Sequence, residues 1–416
     1  MSTPLPAFFG YGIELEYMIV DCQTLSVLPV ADELLRRLSL SGTQVSEVKQ
    51  VAFAWSNELA LHLLELKNLN PYPQMELLPA AFQGEIQRIN RLLGSMGARL
   101  MPTAMHPWMN PRVETRLWPH DYLKIYRAYD RIFDCKSHGW ANLQSMHLNF
   151  PFADDHEFAR LHAAIRLLLP ILPALAASSP IAEDSSSGFL DFRMENYCAH
   201  QMSVPSTIGL VIPETSVSRS AYEAQILAPM YREIAVLDAE GVLQHEWLNA
   251  RGATPRFDRN TIEIRVIDIQ ECPQADLAIA AVATNVVRTL YNETSAPLAE
   301  QQDIDTAGLA KIMRGCMRDA EQAVIADAEY LQLMGFPVRH CEVRELWQHL
   351  IASMMLNQPE QRKTWQEGLQ IILEHGPLAR RIIRAVDSDY SRARLRAVYR
   401  ELCDCLEEGR MFLGIK

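Results

Sequence analysis

From residue 11 to residue 20 the chain alternates, with Ile13, Leu15 and Tyr17 on one face and Glu14, Glu16 and Met18 on the other. Period two predicts a β-strand. Its two carboxylates stand about 7 Å apart on one face, so that face must meet water or a ligand. Three further segments carry the same signature. Residues 55–66 form a second strand region, where Glu58 and Glu65 flank the apolar run LALHLL and Asn68, Asn70, Pro71 and Pro73 end it. Residues 143–150 set Gln144, Met146, Leu148 and Phe150 against Ser145, His147 and Asn149. Residues 261–269 set Ile262, Ile264 and Val266 against Glu263, Arg265 and Ile267.

Helical spacing separates these strands. Phe82, Ile86, Ile89, Leu92 and Leu93 form one stripe over residues 82–96, and residues 122–133, 156–175 and 221–236 also read as helices. Residues 99–103 read as a short strand, and 178–188 as a Ser-, Pro- and Asp-rich loop. Beyond Asp276 the periodicity is helical throughout, over 309–323, 343–356, 365–375 and 391–406. Mixed strands and helices followed by helices alone predict an α+β fold. Its sheet is expected to be curved and mostly antiparallel, with a polar side facing a ligand and helices on the other side. The expected division is a catalytic α+β domain over residues 1–295 and a helical C-terminal region over 296–416 packed on the same domain.

Charge and cysteine usage narrow the function classes. Lys and Arg number 39 and Asp and Glu 51, a net charge of −12. An acidic chain is a poor match for nucleic acid, although a locally basic cleft stays compatible with an anionic ligand. Cys22, Cys135, Cys198, Cys272, Cys316, Cys341, Cys403 and Cys405 are scattered without paired CxxC spacing, which predicts reduced thiols and no structural zinc. The first residues lack a basic n-region and reach carboxylates by Glu14, unlike a signal peptide. The apolar stretch 161–177 is interrupted by Arg166, Pro170 and Pro173 and is too short to span a bilayer. A cytoplasmic enzyme of small molecules is expected, with no nucleic-acid or membrane partner, and a homodimer is the default assembly.

Taken singly, each polar strand face has an ordinary reading: a solvated surface, an edge ion pair or a satisfied core histidine. Four such segments in one chain point to a shared site. An oxygen-rich set with one imidazole suits Mg²⁺, and also Mn²⁺. Such ions bridge phosphate oxygens during phosphoryl transfer. Tyr122, Tyr126, Tyr129 and Tyr197 are further candidates for an amino-acid pocket, His106 and Trp108 read as turn and packing residues, and His138, His200 and His245 have no evident partner in the sequence.

At these residues the chain resembles the glutamate–cysteine ligase family, in particular its bacterial carboxylate–amine ligase branch. The opening Gly-x-Glu-x-Glu-aromatic pattern is Gly12-Ile13-Glu14-Leu15-Glu16-Tyr17, and the second acidic element is Glu58 with Glu65. The turn Met105-His106-Pro107, the His-x-Asn strand His147-Leu148-Asn149, the stretch Ser178-Ser179-Pro180 and the strand Glu263-Ile264-Arg265 with Asp268 follow in the family's order, over roughly residues 10–290. The central strand reads MHLNF, with one histidine where the branch often has two, and only Arg193 stands where the branch often has an Arg-Ser-x-Arg run.

The resemblance implies a glutamine synthetase-like catalytic fold and an ATP- and Mg²⁺-dependent ligase that joins an amino-acid carboxylate to an amine through an acyl phosphate. It implies one metal held by Glu14, Glu58 and Glu65 and another by Glu16, His147 and Glu263. Arg265 would sit on the transferring phosphate, Arg193 and Arg251 on the substrate carboxylate or acyl phosphate, and Asn149 on nucleotide or substrate. The same chemistry with a different amine, and a guanidino-kinase-like phosphotransferase, are the alternative expectations.

Overall fold

A computed structural model describes residues 4–39, 42–357 and 362–415. Its centre is an eight-stranded sheet, antiparallel throughout. The strands are β1 (Gly12–Asp21), β2 (Glu47–Lys49), β3 (Phe53–Asn57), β4 (Leu63–Asn68), β5 (Ala98–Met101), β6 (Ser145–Pro151), β9 (Ala253–Arg256) and β10 (Thr261–Asp268); β7 (Ile181–Ala182) and β8 (Ser185–Ser186) form a separate small hairpin in the loop that precedes helix Phe192–Ala199. The order across the sheet is β2-β3-β4-β1-β6-β10-β9, and β5 pairs with the far end of β1. The region 55–66 is therefore two strands with a turn between them, which places Glu58 in the turn and Glu65 on β4.

The two faces of β1 meet different surroundings. Ile13, Leu15, Tyr17 and Ile19 are wholly buried in the main core. Helix Leu78–Gly94 reaches that core through Phe82, Ile86, Ile89 and Leu93, a 3.6-period stripe begun by Pro79 in the first turn, where its missing N–H costs no hydrogen bond. Helix Pro273–Tyr291, buried nearly all round, packs against it and against helices Asp155–Leu168 and Arg362–His375.

The opposite face of β1 is divided along its length. Met18 and Val20, with Leu63 and Met101, are buried in a second core against helices Leu378–Val386 and Arg392–Glu408. Glu14 and Glu16, four and two residues before Met18, lie beyond the cover of those helices and line a cavity. Helices thus cover one whole face and the apolar end of the other, where the alternation alone placed them on one side. One continuous core runs from Ala7 to Leu406, and a short antiparallel pair, Val324–Ile325 with Cys341–Glu342, interrupts the helical C-terminal stretch. Among the described residues no helix is long and apolar enough to cross a membrane.

Candidate metal and nucleotide site

Register assembles the polar face. Glu14 lies opposite His147 on one side and Lys67 on the other, Glu16 opposite Glu65, and Glu263 opposite Asn149. The side chains of these residues alternate with core residues, so one face of β4, β1, β6 and β10 collects them. A bulge in β10 alters the end of the row: Ile264 pairs with Leu148 and Ile267 with Met146, leaving Arg265 and Val266 together across from His147. The extra residue turns Ile267 into the core register and brings Asp268 opposite Ser145, a reversal that strict alternation over residues 261–269 did not foresee.

The row borders a cavity of about 450 Å³, lined at one end by Glu14, Glu16, Glu58, Glu65, His147, Glu263 and Arg265. The other end is formed by Tyr126, Tyr129, Trp140, Tyr197, His200 and Trp247. Its size falls within the usual range for small-ligand sites. Two sets of ligand atoms lie within 4.8 Å of one another: Glu14, Glu65 and His147, and Glu16, Glu58 and Glu65. The geometric grouping therefore differs from the one the resemblance implied. Glu65 is common to both sets, His147 goes with its register partner Glu14, and Glu58 goes with Glu16. Glu263 is in neither set; its carboxylate is ion-paired with Arg265 and lies 3.7 Å from Arg256.

Hydrogen bonds fix the row. Glu16 Oε2 accepts from the Ser145 amide at 2.7 Å and the Ser145 hydroxyl at 2.8 Å, and the same hydroxyl lies 2.9 Å from His147 Nε2. His147 Nδ1 is 3.0 Å from Glu14 Oε2, and Asn149 Nδ2 donates to Glu14 Oε1 at 3.3 Å. Lys67 Nζ contacts Glu65 Oε1 at 2.5 Å. Gly12 makes room for this: a Cβ there would come within 3.1 Å of Asn149 Cβ.

Burial among like charges shapes the protonation states. Burial lowers the His147 imidazole, but the charges of Glu16, Glu263 and Glu14 and the Glu14 hydrogen bond outweigh it and raise it to about 9. The Glu58 carboxyl is driven well above the usual carboxylate range by burial, then by Glu16 and Glu65. Glu65 is raised by burial and by Glu14, with Lys67 opposing. Burial also works against the Glu263 anion, yet Arg265, His147 and Arg256 hold it down at about 2. Glu14 is lowered: burial opposes its charge, and the His147 hydrogen bond with the charges of His147 and Lys67 prevails over it. Carboxylates crowded together and pushed in opposite directions by their surroundings mark a candidate functional site.

The arginines divide. Arg265 lines the cavity. Arg193 also lines it, but its guanidinium is largely committed: one nitrogen is 3.3 Å from Asp268 Oδ1 and the other donates to the Arg265 carbonyl at 2.7 Å. Arg251 is turned elsewhere. It forks onto Glu214 at 2.5 and 2.8 Å and donates to the Ser206 carbonyl at 3.1 Å, and it is not part of the cavity wall. Asn149 serves Glu14 and is not part of the cavity wall. Of the four tyrosines, Tyr126, Tyr129 and Tyr197 line the cavity and Tyr122 is half-exposed outside it. His106 is buried, its Nε2 2.8 Å from the Leu25 carbonyl, as a turn residue would be. Sequence reasoning passed over Arg256, Ser145, Trp140 and Trp247 in the wall. Ser145 shares the His147 face and could have been found by alternation, whereas Arg256 lies on β9, which Pro255 disguises as a loop.

Comparison with known proteins agrees with this architecture. A protein of Archaeoglobus fulgidus described only as uncharacterized is 30% identical over 402 residues, 97% of this chain and 100% of that one. A protein of Bradyrhizobium sp. strain ORS 278 named "Putative glutamate--cysteine ligase 2" is 26% identical over 292 residues; the match takes in 68% of this chain and only 62% of that one. The crystal structure of glutamate–cysteine ligase from Francisella tularensis in complex with AMP superimposes with a TM-score of 0.58 at 12% identity, covering 95% of this chain and 88% of that one. The shared fold is the glutamine synthetase-like one that the motifs implied. The model of glutamate–cysteine ligase family 2 matches residues 11–401, from the residue before the opening acidic motif into the last helix, and the chain belongs to that family.

Proposed function

We propose that this chain is an ATP- and Mg²⁺-dependent ligase that phosphorylates a carboxylate and joins the resulting acyl phosphate to an amine. The acid we assign is glutamate, transferred as a γ-glutamyl group. The observation that carries the reading is the convergence of Glu14, Glu16, Glu58, Glu65 and His147, from three strands and a turn, into two overlapping ligand sets on one cavity wall. Carboxylate oxygens with one imidazole fit Mg²⁺ or Mn²⁺, and the charge-crowded carboxyls of half-buried Glu58 and buried Glu65 have the environment that a divalent cation would relieve. A bound divalent ion supplies charge neutralisation to the ATP phosphates.

The chain's own residues would act as follows. Glu65, common to both sets, would fix the spacing of the two cation positions. The Arg265 guanidinium, already oriented by Glu263, would contact the transferring phosphoryl group, to which its planar fork is matched. The carboxylate oxygen attacks the γ-phosphorus and ADP leaves. The amine nitrogen then attacks the acyl carbon, a C–N bond forms, and the C–O bond to phosphate breaks. Arg193 holds the Arg265 carbonyl and so keeps that strand end in place.

The test is to incubate the protein with ATP, Mg²⁺ and each of the twenty amino acids, alone and with L-glutamate, following phosphate release and the mass of any new amide. Release that requires Mg²⁺ and yields an amide supports the reading, and glutamate plus cysteine would select glutamate–cysteine ligation itself. Neither metal-dependent phosphate release nor nucleotide binding with any pair would overturn it.

A further inference from the structure

Cations flank the row of carboxylates, and one of them differs from the rest. Lys67 contacts Glu65 at 2.5 Å, Arg265 is hydrogen-bonded to Glu263, and Arg193 is spent on Asp268 and the Arg265 carbonyl. Arg256 also lines the cavity, with its side chain 16% exposed. Its guanidinium donates no hydrogen bond among the described residues. Nε is buried without a partner, and the closest carboxylate contacts, to Glu246 and Glu263, are each 3.7 Å. That distance is too long for a hydrogen bond. A guanidinium offers five N–H donors and keeps its proton, so a largely buried one without acceptors calls for an anion.

Strand register puts this donor beside Arg265. Arg256 lies opposite Thr261, and Thr261 shares one face of β10 with Glu263, so Arg256 joins the row on the edge strand β9. Glu263 divides its oxygens: Oε1 accepts from Arg265, and Oε2 faces Arg256 Nη1. The two guanidinium groups therefore stand on either side of one carboxylate. An oxyanion on the Arg265 side lies within the sweep of the flexible Arg256 side chain.

Glu246, behind Arg256, holds it weakly. Burial, then the hydrogen bond and charge of Asp258, raise Glu246 to about 7, with Arg256 opposing. Near neutral pH Glu246 is thus protonated about half of the time, and its pull on the guanidinium is partial.

We propose that Arg256 is a substrate-contacting residue, whose guanidinium leaves its place between Glu246 and Glu263 to close on an oxyanion bound beside Arg265. Two ligands of the ligase reading carry such a group, ATP in its phosphates and the acid in its carboxylates, and both suit the planar fork. The proposal rests on that reading for the identity of its ligands, and the experiment separates the two.

Arg256→Met and Arg256→Lys are compared with the wild type, each first checked for folding by far-UV circular dichroism. Calorimetry measures binding of L-glutamate and of AMP-PNP with Mg²⁺. Phosphate release, with whichever amine gives turnover, measures KM for ATP and for L-glutamate and the Mg²⁺ concentration for half-maximal rate. Arg256→Met should raise the constants for one ligand about tenfold or more, the size of a lost hydrogen bond to a charged group, while the other ligand stays within about twofold. A rise for the nucleotide puts Arg256 on a phosphate, and a rise for glutamate puts it on a carboxylate. Arg256→Lys keeps the charge without the fork and should fall between. If Arg256→Met does not fold, Arg256→Lys decides, with a rise of about threefold or more expected. The Mg²⁺ requirement should not increase, because the carboxylate ligands are untouched.

Unchanged constants for both ligands in a folded variant overturn the proposal and leave the ligase reading standing. A joint increase in both ligand constants and in the Mg²⁺ requirement does the same, since it marks a disturbed wall and not a contact. Weaker binding of one probe to the variant, with no turnover by the wild type, overturns the ligase reading alone. A wild type that binds neither probe and turns nothing over sinks both.

Discussion

Replacing Asp268 by Ala should cost the protein a large part of its stability, because Asp268 is the anion on which a buried cation depends. Arg193 and Asp268 side chains are 2% and 0% exposed, and their closest approach is 3.3 Å. Asp268 also accepts from the Ser178 amide at 2.8 Å and the Ser179 hydroxyl at 2.9 Å. Burial raises both carboxyls of the neighbouring pair Asp191 and Asp268; Asp191, which also meets the Asp268 charge, is driven well above the usual range, whereas Arg193 and the Ser178 and Ser179 hydrogen bonds oppose the rise at Asp268 and favour it as the anion facing Arg193. Removing one member of a buried pair costs about 3–5 kcal/mol. A stranded donor at Ser178 or Ser179 adds about 1–3 kcal/mol. A loss of about 4–8 kcal/mol compares with a total of about 5–15 kcal/mol for a typical domain. Urea unfolding followed by far-UV circular dichroism measures it. The double variant Arg193→Met/Asp268→Leu should recover much of the loss, since it leaves no unpaired charge. A loss under about 1 kcal/mol in Asp268→Ala, or a double variant less stable than either single one, would refute the placement of charge on this pair.

Other expectations follow from the same geometry. Glu65→Gln should abolish Mg²⁺-dependent turnover more completely than Glu263→Gln, because Glu65 belongs to both ligand sets; phosphate release measures this, and a fully active Glu65→Gln would contradict the site. Arg265→Met should reduce turnover by about 10²–10³-fold, with a folded circular dichroism spectrum. Saturating ATP with Mg²⁺ at about a hundred times its Kd should stabilise the chain by about 2.7 kcal/mol in a thermal-shift assay, and Glu65→Gln should lose that gain. Three buried histidines make the fold acid-sensitive: burial lowers His62 to about 4 and His106 and His162 to about 3, from 6.5. The folded chain refuses protons that the unfolded chain accepts, so stability falls as pH drops below 6.5 and continues to fall toward these values. At about pH 5 the three together remove about 6 kcal/mol, and flat urea midpoints between about pH 7 and pH 5 would contradict it.

Much of the sheet could be read in the sequence because one face of each strand is apolar and the other is not. Ile13, Leu15 and Tyr17 against Glu14 and Glu16 give a period-two signal that only a strand satisfies, and Met146, Leu148 and Phe150 against His147 and Asn149 give another. Register was not legible. Which acid faces which depends on the turn after β3 and on the β10 bulge, and these decide that Glu65 is shared between sets and that Glu263 is bound by arginines. Helix Leu378–Val386 was missed because three arginines mask its apolar stripe; only in the fold do Leu378 and Ile382 meet the sheet, while Arg381 is buried against Glu271. The environment of Arg251 was equally hidden, since its partner Glu214 is remote in sequence and lies in a loop without periodicity.

The division of the β1 face explains why a C-terminal helical region matters to a site it does not line. Glu14, Glu16, Met18 and Val20 share one face, and the strand changes from carboxylate to hydrocarbon at Met18. Strand geometry keeps successive residues of that row about 7 Å apart, so the boundary between wet and dry lies within one side-chain spacing of Glu16. Residues Leu395, Val398, Tyr399 and Leu402 of the last helix, with Ile382 of the helix before it, supply the dry side. Without them Met18, Val20, Leu63 and Met101 would face water, and solvent would reach the carboxylates along the strand as well as through the cavity. Leu402→Ala opens this second core while touching none of the acids. It should cost about 2–5 kcal/mol by the usual cavity penalty. If the dry boundary also protects the site, turnover in the stable fraction at low temperature should fall as well, through a higher KM for ATP. A variant destabilised by that amount with wild-type KM for ATP and wild-type kcat would show that the second core supports the fold alone.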